Sequence, residues 1–150
     1  MKNFKILNRK IGPKHKPLII VELGINHNGK FSIAKKIIDK AKEAGAEIIK
    51  HQTHLPYFEM SEEAKKIIPV HTKDNIFKII SDCSISEKDE RKLKKYVEKK
   101  KMIFISTPFS REAADRLYSM NVPAFKIGSG ECNNYPLIEY ICKFRKPIIL

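Results

Sequence analysis

Three charged side chains lie within apolar segments of the sequence, where an isolated charge is costly to bury. Glu22 lies in the run LIIVEL, Lys50 in EIIKHQ and Lys126 in AFKIGS. A buried charge is tolerated when it is paired or binds a ligand, and lysine is a natural partner for phosphate or carboxylate. A purely structural ion pair would also explain Glu22. Because both lysines occupy equivalent positions in their segments, we favour a pocket for a small anionic substrate with these three residues on one wall.

The segment that begins at Lys126 (KIGSGE) carries further groups that suit an anion. Ser129 supplies a hydroxyl and Glu131 a carboxylate. Gly128 and Gly130 would allow backbone N–H groups to approach a ligand closely. A Gly-Ser-Gly turn is weak on its own, but two inward-facing lysines beside it predict an anion-binding cradle.

The segment Lys50-His51-Gln52-Thr53-His54 ends a second apolar run. Strand alternation places Lys50, Gln52 and His54 on one face and His51 on the other. Two histidines on opposite faces form a poor chelating pair, so a metal site is not favoured here. The preceding NHNG segment at 26–29 has the composition of a turn. It fits a plain loop as well as a ligand contact.

Hydroxyl side chains end a third apolar run at Ser106 and Thr107, directly before Pro108. Hydroxyls beside a lysine can donate hydrogen bonds to phosphate oxygens. A helix-capping role is the alternative, and Ser110 fills that role better. The pair is therefore assigned to the same pocket.

Strand-like and helix-like segments alternate along the whole chain. The predicted strands are 18–23, 46–52, 102–107, 124–129 and 147–150. The predicted helices are 32–44, 61–68, 74–81, 86–100, 110–120 and 136–144. Ser32, Ser86 and Ser110 are the expected N-caps, and Gly45 is placed to end the first helix. Ahead of these units, Phe4, Ile6 and Ile11 predict a short hairpin that caps the floor of a barrel.

This alternation predicts an α/β fold with a parallel sheet, either doubly wound or a (β/α)8 barrel. No GxGxxG motif follows the first strand, whereas polar residues follow every strand, as in barrel enzymes. A closed barrel needs at least about 200 residues. Residues 1–150 are therefore predicted to be the first four to five β/α units of a truncated TIM-type barrel.

Composition narrows the possible partners. The chain carries 30 Lys and Arg against 17 Asp and Glu, a formal charge of +13, so a nucleic-acid binder must be considered. The lysines are spread over helix-like segments as solvated faces, and we expect no nucleic-acid partner. Three cysteines, an odd number, predict reduced, buried thiols rather than a disulfide framework. Without a signal peptide or a membrane span, a cytoplasmic protein is expected.

Four segments together resemble the N-terminal half of the bacterial N-acetylneuraminate (sialic acid) synthase family. They are 22–29 (ELGINHNG), 50–54 (KHQTH), 106–110 (STPFS) and 126–136 (KIGSGECNNYP). Each is modest evidence alone. Together they follow the order and spacing of the family, and the similarity covers nearly the whole chain.

The resemblance implies a metal-dependent condensation of phosphoenolpyruvate with N-acetylmannosamine, an N-acetylhexosamine. Glu22 would orient reacting groups near the condensing carbon, and Glu131 would contact the sugar or the intermediate as the second catalytic residue. Gln52 would support the same wall. The residues that would bind phosphoenolpyruvate are Lys50, Thr107, Lys126 and Ser129.

Two departures from the family pattern bear on these roles. Pro69 is followed by Val70 and His71 where relatives have Pro-Gly-Asn. His71 would then replace an asparagine that contacts the sugar, or the acceptor differs. The family's Mn²⁺ or Mg²⁺ is held by two histidines on later strands, so no metal ligand is expected within this chain.

The resemblance also implies a homodimer for the full-length family, in which a C-terminal antifreeze-like domain completes the partner's site. The second half of the barrel and that domain are expected to be absent here, and the isolated chain is expected to be inactive. A synthase for legionaminic or pseudaminic acid remains an alternative. A non-catalytic half-barrel remnant or association module is the alternative from another class.

Overall fold

Five parallel strands form one sheet whose order follows the sequence. A computed structural model describes residues 3–150, and its sheet has the order β3-β4-β5-β6-β7, with a separate antiparallel pair β1-β2 before it. The strands are β1 (Phe4–Ile6), β2 (Arg9–Ile11), β3 (Ile20–Gly24), β4 (Ile48–Thr53), β5 (Ile103–Pro108), β6 (Phe125–Lys126) and β7 (Ile148–Ile149). The helices are α1 (Phe31–Glu43), α2 (Pro56–Glu59), α3 (Ile76–Cys83), α4 (Glu87–Lys99), α5 (Arg111–Ser119) and α6 (Tyr135–Cys142). The predicted α/β fold of the TIM-barrel type is confirmed.

Both faces of the sheet are apolar, because alternate side chains of a strand point to opposite faces and both sets are hydrophobic. On the face covered by the helices, Ile49 and Phe104 belong to a buried cluster with residues from α1, α4, α5 and α6. On the other face, Ile48 and Ile105 belong to a second, smaller cluster. Continuous apolar runs are typical of parallel strands buried on both sides. The polar side chains at the strand ends alternate between the two faces in the same way.

The N-terminal hairpin covers the end of the sheet at which the strands begin. Ile6 is fully buried against Ile48, Ile105 and Ala124. Arg9 fastens the hairpin to the sheet through its Nε, 2.6 Å from a carboxylate oxygen of Glu47. The predicted hairpin and its position at the floor are confirmed.

Serine caps start two of the helices as predicted. The Ser86 side chain accepts a hydrogen bond from the Asp89 N–H, and Ser110 accepts one from the N–H of Ala113. The expected cap at Ser32 is wrong. Helix α1 begins before it, at Phe31, and Lys30 occupies the N-cap without a side-chain hydrogen bond.

Two segments are less regular than the sequence pattern indicates. The predicted helix at 61–68 is only a 3-10 turn at Ala64–Lys66, preceded by the separate short helix α2. The predicted strand at 124–129 shortens to Phe125–Lys126, and a 3-10 turn follows at Ser129–Glu131. In that turn the N–H of Glu131 donates to the carbonyl of Gly128, which ends the extended backbone.

The prediction of buried thiols is wrong. Cys83 is half-buried, and Cys132 and Cys142 are exposed. Cys83 and Cys142 each end a helix, and Cys132 follows a 3-10 turn, so the sheet and helix cores do not enclose them. None of the helices within residues 3–150 is both long and apolar enough to cross a bilayer.

Candidate active site

Glu22 and Lys50 form an ion pair on the inner face of the sheet, the face opposite the long helices. Parallel pairing of β3 and β4 places the two residues side by side. Lys50 Nζ lies 2.5 Å from a carboxylate oxygen of Glu22. The Lys50 side chain is 6% exposed whereas that of Glu22 is 63% exposed. The lysine charge is therefore held in place, and the carboxylate remains open to an incoming group.

Gln52 and Thr107 continue the same inner face toward the carboxyl ends of β4 and β5. They are direct register partners. Gly24, at φ 54°, lets the β3 backbone pass beside them, because a Cβ there would lie 3.2 Å from Gln52 Oε1. The buried Thr107 Oγ1 has no hydrogen-bond partner within residues 3–150. Buried hydroxyls normally have a partner, so Thr107 is available to a ligand.

Lys126 lies at the end of β6, two strands from Lys50. Its half-buried Nζ donates to the carbonyl of Ile127. Ser129 and Glu131 follow in the 3-10 turn, where Glu131 accepts a hydrogen bond of 2.7 Å from the Asn134 side chain. The N–H of Glu131 is used within the turn itself, so it cannot serve the predicted backbone cradle. Lys126 and the Ser129 hydroxyl remain as the anion-binding groups at this end of the sheet, and Glu131 adds a hydrogen-bond acceptor beside them.

Two sequence-predicted residues lie apart from this wall. Ser106 faces the helices, where its Oγ lies 2.7 Å from Thr53 Oγ1, because it is adjacent to Thr107 on a strand and points the opposite way. Its assignment to the pocket is wrong. His71 is exposed in the turn before α3. No hydrogen bond or ion pair within residues 3–150 joins it to the other predicted site residues, and its sugar contact stays a prediction.

A buried polar chain lies behind the wall, between the sheet and the helices. His27 Nε2 and His51 Nε2 are 3.1 Å apart, and His51 Nδ1 is 3.1 Å from a carboxylate oxygen of Glu90. Thr53 donates to the same oxygen, and Arg116 lies 3.3 Å from the other one. Sequence reasoning noted that His51 faces away from Lys50, but missed Glu90. Its partners lie 37 and 39 residues earlier in the chain.

The hydrogen bonds of the buried polar chain are all donated in one direction, from Gly29 toward Glu90. The N–H of Gly29 donates to His27 Nδ1, so the proton of a neutral His27 is on Nε2 and is donated to His51 Nε2. His51 then carries its proton on Nδ1 and donates it to Glu90. Every ring nitrogen of the pair is satisfied. Such fully paired buried groups favour one conformation.

Burial and charge shift the pKa values of the two ends in ways that support this arrangement. Burial, together with the neighbouring His51, lowers the pKa of His27 to about 4. Burial alone would raise the pKa of Glu90, but hydrogen bonds from His51 and Thr53 and the charge of Arg116 outweigh it and hold that pKa below its ordinary value. At neutral pH the buried polar chain therefore contains a neutral His27 and an ionised Glu90.

A loop that packs closely holds His27 in position. Gly29 lies at φ 68°, and a Cβ there would be 2.4 Å from the carbonyl oxygen of Asp82 at the end of α3. Only glycine fits this contact with a main-chain atom. The NHNG segment is thus a packed turn whose histidine points inward, which favours the structural reading of this segment over a direct ligand contact.

A separate histidine–carboxylate pair lies beyond the end of β4. His54 Nδ1 is 2.8 Å from Glu59 Oε1, and the His54 ring stacks on Phe109 at 4.2 Å between centroids. Glu59 also accepts the N–H of Leu55. His54 and Glu131 both line a cavity of about 210 Å³, which α3 and Met60 complete.

Residues 3–150 bring no set of metal-ligating side chains together. Within the described range 3–150, no three His, Cys, Asp or Glu side chains are grouped so that they could hold a metal ion. The buried His27 and His51 face each other through nitrogens only 3.1 Å apart, which leaves no room for an ion between them. The Mn²⁺ or Mg²⁺ that the resemblance implies therefore does not fit residues 3–150.

Comparison with known proteins gives one consistent result. A sequence model of the NeuB family matches residues 37–150. The N,N'-diacetyllegionaminic acid synthase of Campylobacter jejuni is 36% identical over 140 residues, covering 90% of this chain and 42% of the relative. Human N-acetylneuraminate-9-phosphate synthase is 32% identical over 146 residues, covering 95% of this chain and 40% of the relative.

The solved structures agree with the sequence relatives. The crystal structure of the Bacillus subtilis spore coat polysaccharide biosynthesis protein SpsE superposes with a TM-score of 0.75 at 33% identity, covering 98% of this chain and 39% of that one. The chain thus spans about two fifths of the length of these relatives.

Proposed function

Since the chain belongs to the NeuB family of sialic-acid-type synthases, we propose that its inner face binds phosphoenolpyruvate for condensation with an N-acetylhexosamine. The single observation that carries this proposal is that two lysines and a buried hydroxyl, unpartnered within residues 3–150, lie on one face of the sheet along β4 to β6. Lys50 and Lys126 supply positive charge, and Thr107 supplies a buried hydroxyl without a partner. Two cations and a hydroxyl suit a ligand that carries both phosphate and carboxylate.

In the proposed reaction, C3 of phosphoenolpyruvate attacks the aldehyde carbon of the open-chain sugar and forms the new C–C bond. Water then adds at C2, and the C–O bond to phosphate breaks, releasing inorganic phosphate. Lys50, Lys126, Thr107 and Ser129 would hold the phosphate and carboxylate oxygens. Glu22, open to solvent beside Lys50, would orient the reacting groups, and Glu131 would accept a hydrogen bond from the sugar.

The acceptor is proposed to be N-acetylmannosamine, with precursors of legionaminic or pseudaminic acid as the alternative. One relative named above is an N,N'-diacetyllegionaminic acid synthase and the other an N-acetylneuraminate-9-phosphate synthase. Membership of the family therefore does not select the acceptor. Titration calorimetry of the protein with each acceptor sugar, in the presence of phosphoenolpyruvate, distinguishes them by affinity. Because no three potential metal ligands are grouped within residues 3–150, we expect this chain alone to bind phosphoenolpyruvate without turnover.

Binding of phosphoenolpyruvate to this chain is the direct test. We expect saturable binding by isothermal titration calorimetry, and a loss of at least about tenfold in affinity in Lys126→Met, as for removal of one charged hydrogen bond. Lys95→Met, on the exposed face of α4, is the matched control, because it removes the same charge from a chain of net charge +13. Equal weakening by both variants would show only general attraction of an anion and would refute the site.

A further inference from the structure

A cavity lined by cations lies at the floor of the sheet, at the end where the strands begin and opposite the pocket wall. This floor cavity has a volume of about 380 Å³ and is bounded by the N-terminal hairpin, α4 and the loops that lead into β6 and β7. Its four cations are Lys5, Lys94, Arg145 and Lys146, and Glu98 is the only acidic lining residue within residues 3–150. The cations come from three separate parts of the chain, so the fold gathers like charges that the sequence keeps apart.

Little negative charge within the described residues balances these cations. Lys94 Nζ is 2.5 Å from a carboxylate oxygen of Glu98, so the one acidic group already has a partner. Lys5, Arg145 and Lys146 form no salt bridge within residues 3–150. Three charges of one sign therefore line the cavity, an arrangement that a bound anion would stabilise.

Lys146 is held in place by neutral groups rather than by a carboxylate. Its half-buried Nζ donates to Asn121 Oδ1 and to the carbonyl of Val122, both at 2.6 Å. An ammonium has three N–H donors, so these two bonds leave one for a ligand. Burial, together with the charge of Lys94, lowers the pKa of Lys146 below its ordinary value. An anion in the cavity would offset both effects, because it favours the charged form.

Arg145 occupies a backbone conformation that glycine adopts more readily. It follows α6 at φ 53°, in the left-handed region, where a side chain is unfavourable. Glycine would relieve this strain but would supply no charge. The arginine instead brings a guanidinium to the floor cavity.

A second basic cavity, on the outer surface of α4, is built differently. Its volume is about 440 Å³, and its lining residues are Glu87, Lys88, Arg91, Lys92 and Lys95. One helix presents all of them side by side through its own periodicity. Arg91 pairs with Glu87 at 2.7 Å and Lys92 with Asp89 at 2.9 Å, as on an ordinary solvated helix face. The floor cavity depends instead on contacts between distant elements.

We propose that the floor cavity is a binding site for a phosphate group that carries two negative charges, separate from the pocket wall. Its oxygens would accept hydrogen bonds from Lys146 and Arg145, and Lys5 would add charge from the hairpin. A bound phosphate would thereby link the hairpin to the loop before β7. A small soluble molecule and a lipid headgroup both present this chemistry. The site does not depend on the proposed synthase function.

Amide NMR of the whole chain with inorganic phosphate tests the site. We expect saturable shifts of the Asn121 and Lys146 amide signals in about 0.15 M chloride, which screens long-range attraction between exposed charges. Vesicles of phosphatidylcholine with and without phosphatidic acid test the lipid source. Broadening of the same signals by phosphatidic acid, without shifts by inorganic phosphate, would assign a headgroup. No change at these amides with phosphate or with either vesicle would refute the site.

Charge removal at Lys146 gives the second measurement. We expect Lys146→Met to weaken binding of inorganic phosphate at least about tenfold, as for removal of one charged hydrogen bond. Lys95→Met is the matched control, because it removes the same charge from the α4 cavity. Equal weakening by both variants would show only general attraction of an anion to a basic protein and would overturn the proposal.

Arg145→Gly gives a test that does not remove any hydrogen bond of Lys146. Because glycine suits the left-handed backbone, we expect a thermal unfolding midpoint without phosphate at or above that of the wild type. The affinity for inorganic phosphate should nevertheless fall about threefold or more, as for loss of an exposed charged contact. An unchanged affinity would refute the role of Arg145 in the site.

The signals of the pocket wall separate this inference from the proposed function. Phosphate shifts confined to Lys126 and Thr107 would refute the floor cavity and leave the proposed function standing. Shifts at Asn121 and Lys146 that persist in Lys126→Met would support the floor cavity as an independent site. Failure of phosphoenolpyruvate to bind the wall would then count against the synthase function alone.

Discussion

Individual residues on β4 serve two different environments. Lys50 and Gln52 lie on the open inner face of the sheet, whereas His51 and Thr53 belong to the buried polar chain that ends at Glu90. The buried chain is fully hydrogen-bonded, so it fixes the end of β4 from behind while the open side stays free for a ligand. The positions of the pocket side chains thus depend on groups that never contact the ligand.

His27 makes the stability of the molecule depend on pH. Its folded-state pKa of about 4 lies below the ordinary value of 6.5, so the unfolded chain binds a proton first as the pH falls. Stability contributed by neutral His27 is complete above about pH 6.5 and is lost progressively down to pH 4. We expect a loss of about 2 kcal/mol from this group between pH 7 and pH 5, measured by urea unfolding.

The variant His27→Gln isolates this contribution. The glutamine amide can still hydrogen-bond but does not titrate, so the loss of unfolding free energy between pH 7 and pH 5 should shrink. Glu90 has a depressed pKa, and its contribution is lost only as the pH falls below about 4.5. It therefore does not interfere in this window. An identical pH slope in the wild type and in His27→Gln would contradict a neutral, buried His27.

At the residue scale, the sequence predicted the side chains of the pocket wall better than the buried polar chain behind them. Alternation alone placed Lys50 and Gln52 on one face, because the side-chain period of a strand is fixed. The same rule applied to Ser106 and Thr107 would have separated them. Glu90 could not be found, because nothing in an amphipathic helix sequence tells which glutamate will be buried against a distant histidine.

Among the helices, the N-caps show where local sequence decides structure. Ser110 is buried at the start of α5, and its Oγ accepts the N–H of Ala113 at 3.1 Å. Ser32 lies inside α1 and caps nothing. The two serines offer a matched comparison of a true cap with an apparent one.

We expect Ser110→Ala to lower the free energy of unfolding by about 1 kcal/mol, because it leaves a helix N–H without its partner. The same change at Ser32 should alter it by less than about 0.5 kcal/mol. Thermal and urea unfolding of both variants measure the difference. Equal effects would mean that the Ser110 hydroxyl contributes nothing beyond its volume.

The ends of elements near the site were the least predictable. The strand pattern of 124–129 continued through Ile127, but the backbone turns at Gly128 into the 3-10 turn that carries Ser129 and Glu131. Hydrophobic periodicity does not register such a turn, because it is set by the hydrogen bond from Glu131 to Gly128. The residues were assigned to the site by type, and their geometry came only from the structure.

For the whole molecule, the floor hairpin closes one end of the inner face. The small cluster around Ile6 is separated from the main core by the sheet itself. The alternation of strands and helices predicted the sheet order, since consecutive parallel units are normally neighbours. The hairpin was predicted from three apolar residues alone, and its anchoring by Arg9 to Glu47 was not.

Removing the floor contact should destabilise the entire sheet. We expect Ile6→Ala to lower the free energy of unfolding by about 2–4 kcal/mol, because the side chain is fully buried and leaves a cavity. Ile19→Ala, at a half-exposed position, is the matched control and should cost less than about 1 kcal/mol. Chemical denaturation of both variants measures the two losses of unfolding free energy. A small effect at Ile6 would show that the hairpin unfolds independently of the sheet.

The two-sided strand β4 also limits how this protein can change in length. Inserting one residue before Lys50 would turn the lysine toward the helices and His51 toward the open wall, exchanging both environments at once. Inserting two would restore the facing but displace every side chain beyond it by about 7 Å along the strand. Insertions and deletions in this family member are therefore expected to be accommodated in the loops around β4, while the strand itself keeps its length.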